Sequence, residues 1–233
     1  MVVTIASGKV KGIEQEGTMA FLGIPYAKVE RFMPPMPVDK WDTVRVCDHW
    51  GPQAMQNTGG RQLSEDEMSE NSCVLNVWTT DCSAKKPVML WLHGGGFDSG
   101  TSAWNPGWGL AKNDVVSVSI NNRLNILGFL DLSACSDKYK QSGNVGMLDV
   151  VAALEWIKQN ISQFGGDLNN VTVFGESGGG GEVGTLMCMP AAKGLFHKAI
   201  IMSGTILNVN THEMSQTLGK AVLDELGISV EEI

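Results

Sequence analysis

Apolar residues fall in short runs separated by glycine, proline and polar turns, and their spacing sets the expected elements. Val2 to Ile5 and Val10 to Ile13 are β-prone runs on either side of Ser7-Gly8-Lys9, which predicts an antiparallel hairpin at a sheet edge. Polar residues from Glu14 to Gly17 turn the chain toward Phe21-Leu22-Gly23-Ile24-Pro25-Tyr26. Met33-Pro34-Pro35-Met36-Pro37 predicts extended loop, because proline drives the residue before it out of helical conformation. Residues 51–72 are polar and glycine-containing, with acidic residues at Glu65, Asp66, Glu67 and Glu70, the pattern of a solvated surface loop.

Val74 to Trp78 is a strand candidate. Pro87 to Leu92 is an unbroken apolar run, as expected where both faces of a strand are covered in a parallel sheet, and it ends in His93-Gly94-Gly95-Gly96-Phe97. Val115 to Ile120 reads as a second buried strand leading to Asn121-Asn122-Arg123. Between Val145 and Phe164 the apolar positions Met147, Val151, Leu154, Ile157, Ile161 and Phe164 recur every three or four residues, which predicts a helix ended by Gly165-Gly166. A strand at Val171 to Phe174, a helix over Gly181 to Met189, a strand at Ala199 to Met202 and a helix from Glu213 to Leu226 follow. This alternation predicts an α/β class fold, a mostly parallel, doubly wound sheet with helices on both faces. No internal repeat and no linker marks a second domain, so residues 1–233 read as belonging to a single domain.

Composition narrows the class. The 233 residues are 43% hydrophobic and 18% charged, enough for a sizeable core in one α/β domain of roughly 200–250 residues. A net charge of -8 argues against a nucleic-acid binder and supplies no basic patch for anionic membranes. Met1 to Ile5 lacks the basic start and apolar core of a signal peptide, and no run of about 18 apolar residues suggests a membrane span. The five cysteines, Cys47, Cys73, Cys82, Cys135 and Cys188, have neither C-x-x-C nor metal-ligand spacing and read as reduced thiols of a cytoplasmic protein. No metal or cofactor is expected.

The chemistry centres on Gly175-Glu176-Ser177-Gly178-Gly179, a G-x-S-x-G pattern between a strand and a helix. Such a turn exposes the serine hydroxyl at the carboxyl edge of a sheet, and the flanking glycines relieve crowding. Alone, the pattern also fits a chance turn in a chain with 28 glycines. Acyl transfer places negative charge on a carbonyl oxygen, so backbone N–H groups must wait where it forms. Gly94-Gly95-Gly96 after a buried strand and Gly178 after the serine supply such groups, although three glycines also suit a flexible loop. No P-loop pattern occurs. Gly179 to Gly184 matches G-x-G-x-x-G, but the acid a dinucleotide ribose needs about 20 residues on is missing between Val183 and His212.

Together these segments resemble the type-B carboxylesterase family of α/β-hydrolases, which includes bacterial para-nitrobenzyl-type esterases and the cholinesterases. The resemblance runs in order through Phe21 to Ala27, Leu75 to Trp78, His93 to Phe97, Asn122-Arg123-Leu124, Gly128-Phe129, Gly143-Asn144, Leu148-Asp149, Ala153 to Trp156, Phe164 to Asp167 and the Ser177 turn. It implies an α/β-hydrolase fold, Ser177 as nucleophile, Gly95, Gly96 and Gly178 as oxyanion-hole positions, and a small-molecule carboxylic ester as substrate. Phe97, Trp104 and Trp108 are candidates for the pocket lining, against ordinary loop packing. The family usually has alanine where this chain has Gly178, and its loop-closing cysteine is replaced by Ser72.

In α/β-hydrolases the triad runs serine, acid, histidine. Of the four histidines, His49 and His93 precede Ser177, His197 falls in a stretch whose counterpart in the family it resembles is structural, and His212 begins a helix with only Glu182 as an intervening acid. None reads as a general base. Residues 226–233 read as the start of another segment. The chain is therefore expected to be the N-terminal part of a longer esterase, nearly inactive alone, whose remainder supplies acid and histidine as a continuing or separate chain. A non-catalytic cholinesterase-like binding protein or an inactive fragment is the alternative. Glu176 is expected to be a buried structural carboxylate, Met187 and Met189 core filler, and Ser203 part of a buried polar network.

Overall fold

The computed structural model describes residues 1–57, 67–204 and 209–233. The hairpin forms from β1 (Val2–Ile5) and β2 (Gly8–Lys11). The chain then bends at Gly12, where a Cβ would lie 2.5 Å from the Ala20 carbonyl oxygen, and enters a different sheet as β3 (Ile13–Gln15) and β4 (Thr18–Pro25). Because β5 (Val44–Val46) adds parallel to β2, the hairpin builds a separate three-stranded sheet.

The described parts of the 51–72 segment, residues 51–57 and 67–72, are less solvated than their polarity suggests. Within them β6 (Gln53–Ala54) and β7 (Met68–Ser69) pair in parallel, Glu70 pairs with Arg31, and Ser72 is fully buried with its hydroxyl unpartnered among the described residues. Glu65 and Asp66 lie outside the described residues.

From here the expected alternation appears: β8 (Val74–Thr79), β9 (Lys86–Leu92), α1 (Trp108–Ala111), β10 (Val116–Ile120), α2 (Asn125–Phe129) and α3 (Val145–Asn160). The chain continues through β11 (Gly166–Glu176), α4 (Gly178–Cys188), β12 (Lys198–Met202) and α5 (His212–Leu226). Helix α3 runs on as a 3₁₀ turn to Phe164, and Gly165 at φ 77° stops it.

Among the described residues the main sheet has seven strands in the order β12-β11-β9-β10-β8-β4-β3. It is mixed. The four strands from β12 to β10 are parallel, as the buried apolar runs predicted, and β8, β4 and β3 join antiparallel. On one face Val88, Leu90, Leu92, Val118 and Val173 meet Val150, Leu154 and Ile157 of α3 and Val183 of α4. Each such side chain contributes about 1.5–3 kcal/mol by leaving water. The opposite face is covered near α1 by Ala20, Leu22, Trp78 and Ala111. Toward β12 it is open among the described residues: Trp91 and Phe174, ring centroids 5.0 Å apart, are only partly covered, and Ile200 is 43% exposed.

Buried charge ties the layers together. Arg123, after β10, donates from Nε and Nη2 to Asp149 of α3 at 2.8 and 2.7 Å and from Nη1 to the Glu30 and Met33 carbonyls. Burial works against the Arg123 charge, but the hydrogen bonds and attraction of Asp149 hold its pKa above the ordinary value.

Candidate active site

Two turns at the carboxyl ends of adjacent parallel strands make the site. The first follows β9, where Gly95 (φ 118°), Gly96 (φ 67°) and Phe97 (φ 67°) all take left-handed backbone. At Gly95 this excludes any side chain, since a Cβ would stand 2.0 Å from the Ser99 carbonyl oxygen. Phe97 has no such freedom, and a bulky residue there is held only by surrounding contacts. Its carbonyl accepts from the Asn125 amide at 2.7 Å, its ring meets Phe129 edge-on at 5.4 Å, and the Asp98 and Ser99 amides close onto the Gly95 carbonyl at 3.1 Å. Asn125 Nδ2 reaches the Met55 carbonyl at 2.6 Å, and Gln56 clamps Gly100, accepting from its amide at 2.8 Å and donating to its carbonyl at 2.9 Å. Gln56 and Asn125 escape a reading of the sequence. They reach the turn from distant segments, and the only signal is that a strained turn needs polar support.

The second turn joins β11 to α4. Ser177 sits at φ 54°, ψ -119°, exposed, with its amide bonded to the Met202 carbonyl at 2.9 Å and its carbonyl accepting from Gly181 at 3.0 Å. Among the described residues its hydroxyl has no hydrogen-bond partner. Gly178 brings the turns together, because a Cβ there would lie 2.6 Å from the Gly96 nitrogen and 3.1 Å from that of Phe97. Glu176 is exposed, contrary to the expected buried carboxylate, and its Oε2 lies 3.0 Å from where a Cβ on Gly94 would stand, so the side chain rests over the first turn.

The histidines are occupied elsewhere. His93 is buried with Nδ1 2.9 Å from the Gly94 carbonyl, and burial lowers its pKa, so the ring is a neutral prop for the turn. His197 Nδ1 accepts from the Val171 amide at 3.2 Å. His49 stands exposed beside Asp48. His212 Nε2 lies 3.3 Å from Asp131 Oδ2 and 3.2 Å from Ser133 Oγ. Both contacts fall on one ring nitrogen, whereas a general base needs one nitrogen for the hydroxyl and the other for its orienting acid.

A groove of about 750 Å³ opens beside the first turn, lined by Gly96, Phe97, Ile126, Phe129 and Met147 among others. Trp104 is 59% exposed and Trp108 packs behind the sheet near Trp78 and Ala111; neither borders this groove. Ser203 is exposed rather than part of a buried network, and Met187 is 61% exposed, while Met189 packs on the core. Behind the elbow, Glu182 is buried, with Oε1 accepting from Asn122 Nδ2 at 3.0 Å and Oε2 unpartnered among the described residues. Burial pushes its pKa up to about 8.

A strand-borne serine elbow packed against a glycine turn on a neighbouring parallel strand defines an α/β-hydrolase. The model of the carboxylesterase family matches residues 1–232. Para-nitrobenzyl esterase of Bacillus subtilis is 42% identical over 98% of this chain and 48% of its own length. Liver carboxylesterase of Sus scrofa is 40% identical over 89% of this chain and 40% of its own. The crystal structure of a Geobacillus stearothermophilus carboxylesterase superposes with a TM-score of 0.91 at 43% identity, over 97% of this chain and 48% of that one. The chain belongs to the carboxylesterase family and spans about half the length of these relatives.

Proposed function

We propose that this chain carries the nucleophile and oxyanion hole of a serine carboxylesterase. Ser177 attacks the carbonyl of a small-molecule carboxylic ester, the alcohol leaves, and water releases the acid from the acyl-enzyme. The N–H groups of Gly95, Gly96 and Gly178 hold the oxyanion, each worth on the order of 10²–10³ in rate in comparable sites. The observation that carries this is the close approach of Gly178 to the Gly96 amide beside an exposed Ser177. The groove at Phe97 receives one side of the ester.

The placement of the four histidines, none bonded to Ser177, supports a base and acid supplied by polypeptide beyond these 233 residues, as a continuing or second chain. The chain alone is then nearly inactive, because an unassisted serine is a weak nucleophile. Five free cysteines fit a reducing, cytoplasmic setting, and among the described residues no helix is long and apolar enough to cross a membrane. Labelling with a fluorophosphonate tests the reading. Wild-type protein with its remainder is expected to be modified at Ser177 and Ser177→Ala to stay unmodified; an unlabelled wild type defeats the reading.

A further inference from the structure

We propose that Glu182 is a positioning residue of this site: held as a neutral carboxylic acid against Asn122, it sets the spacing between the helix that presents Ser177 and the segment that anchors the oxyanion turn. The inference rests on the reading of Ser177 as nucleophile. Glu182 lies in α4, which begins directly after Ser177. Asn122 belongs to the stretch that continues to Asn125, whose amide holds the strained Phe97 carbonyl at 2.7 Å. The 3.0 Å bond from Asn122 Nδ2 to Glu182 Oε1 is therefore a cross-brace between the two turns, made behind them and out of water.

The brace works in one protonation state. Oε2 is buried with no donor to meet it among the described residues, so a full negative charge there would be uncompensated. The charged groups around it sharpen this: Asp149 of α3 bears the same sign, its partner Arg123 is committed to it in a bidentate pair, and α4 carries no other ionisable side chain before Cys188 at its far end. Ionised, Glu182 gains by moving toward water and takes α4 with it. Because Gly178 and Gly96 are already in close contact, a small shift of α4 changes the spacing of the oxyanion amides.

The test is NMR of the 233-residue chain with ¹³C-labelled glutamate carboxyls and ¹⁵N amides, followed from pH 6 to 9.5. The Glu182 carboxyl is expected to titrate near pH 8, with the amides of Gly96, Phe97 and Gly178 shifting at the same midpoint. In Glu182→Gln, which keeps the acceptor for Asn122 and cannot ionise, those amides stay at their pH 6 positions throughout. Amides that do not follow Glu182 in the wild type, or that titrate alike in Glu182→Gln, overturn the proposal. Fluorophosphonate labelling of the protein with its remainder separates the two readings. A labelled Ser177 with uncoupled amides removes the role of Glu182 alone; coupled amides with an unlabelled Ser177 remove the esterase reading instead and leave the brace standing.

Discussion

The Ser177 amide donates to the Met202 carbonyl at 2.9 Å, so the elbow hangs from the end of the edge strand as well as from its own. Gly204 keeps that geometry: a Cβ there would fall 2.2 Å from the Ser177 carbonyl oxygen and 2.5 Å from the Gly180 Cα, both backbone atoms. Gly204→Ala is expected to cost about 1–3 kcal/mol by overpacking and to lower the rate of labelling at Ser177. Urea unfolding and a labelling time course measure both. Wild-type stability in this variant would show that the elbow is not held from β12.

Ser177 itself is held at φ 54°, ψ -119°, a region that L side chains avoid, and among the described residues its hydroxyl makes no bond that would offset the strain. Strain of this kind costs on the order of 1–3 kcal/mol per residue. Ser177→Gly is therefore expected to lose labelling completely while its unfolding midpoint rises. A lower midpoint would mean that the serine side chain stabilises the elbow.

Elements were legible wherever hydrophobic pattern and turn chemistry agree. Val171 to Phe174 reads as a buried strand, and Gly165 reads as the stop it proves to be. The separate hairpin sheet was not legible, because its partner β5 lies more than thirty residues away and has little apolar pattern of its own. The antiparallel half of the main sheet was hidden for the same reason: strand direction is set by which edge each run joins. At the site, Ser177 and the glycine turn were visible because left-handed backbone demands glycine or a motif built around it. Gln56 and Asn125 act through a few long-range hydrogen bonds, which leave no periodicity. Trp108 packs near Trp78 and Ala111 rather than beside the groove, because proximity in sequence to the turn says nothing about which side of the sheet a helix covers.

The Arg123–Asp149 pair offers a sharper test of the core. Both side chains are almost fully buried, and Arg123 also satisfies two carbonyls of the 30–33 segment. Removing one partner leaves the other charge uncompensated, so Asp149→Ala is expected to cost about 3–5 kcal/mol. The double change Arg123→Met with Asp149→Leu is expected to recover most of that loss in the same urea titration. A double variant as unstable as the single one would show that the carbonyl contacts, not the pair, hold this layer.

Stability against pH gives a readout of Glu182 independent of the elbow. Its pKa is raised from an ordinary 4.5 to about 8, so between these values the native state holds a proton that the unfolded chain releases. The contribution is complete below pH 4.5 and lost as pH rises through 8, at no more than about 1.4 kcal/mol per pH unit. Buried His93 acts in the opposite sense, since its pKa is lowered from 6.5; its contribution grows with pH and is complete once pH exceeds that value. The window from 6.5 to 8 therefore lies above the His93 range and below the ordinary value of 9.0 from which burial raises the pKa of Cys47, Cys73 and Cys82. There the wild-type chain is expected to lose stability steadily in urea titrations, and Glu182→Gln is expected to give a flat line. A flat wild-type line over the same window would place the Glu182 proton elsewhere.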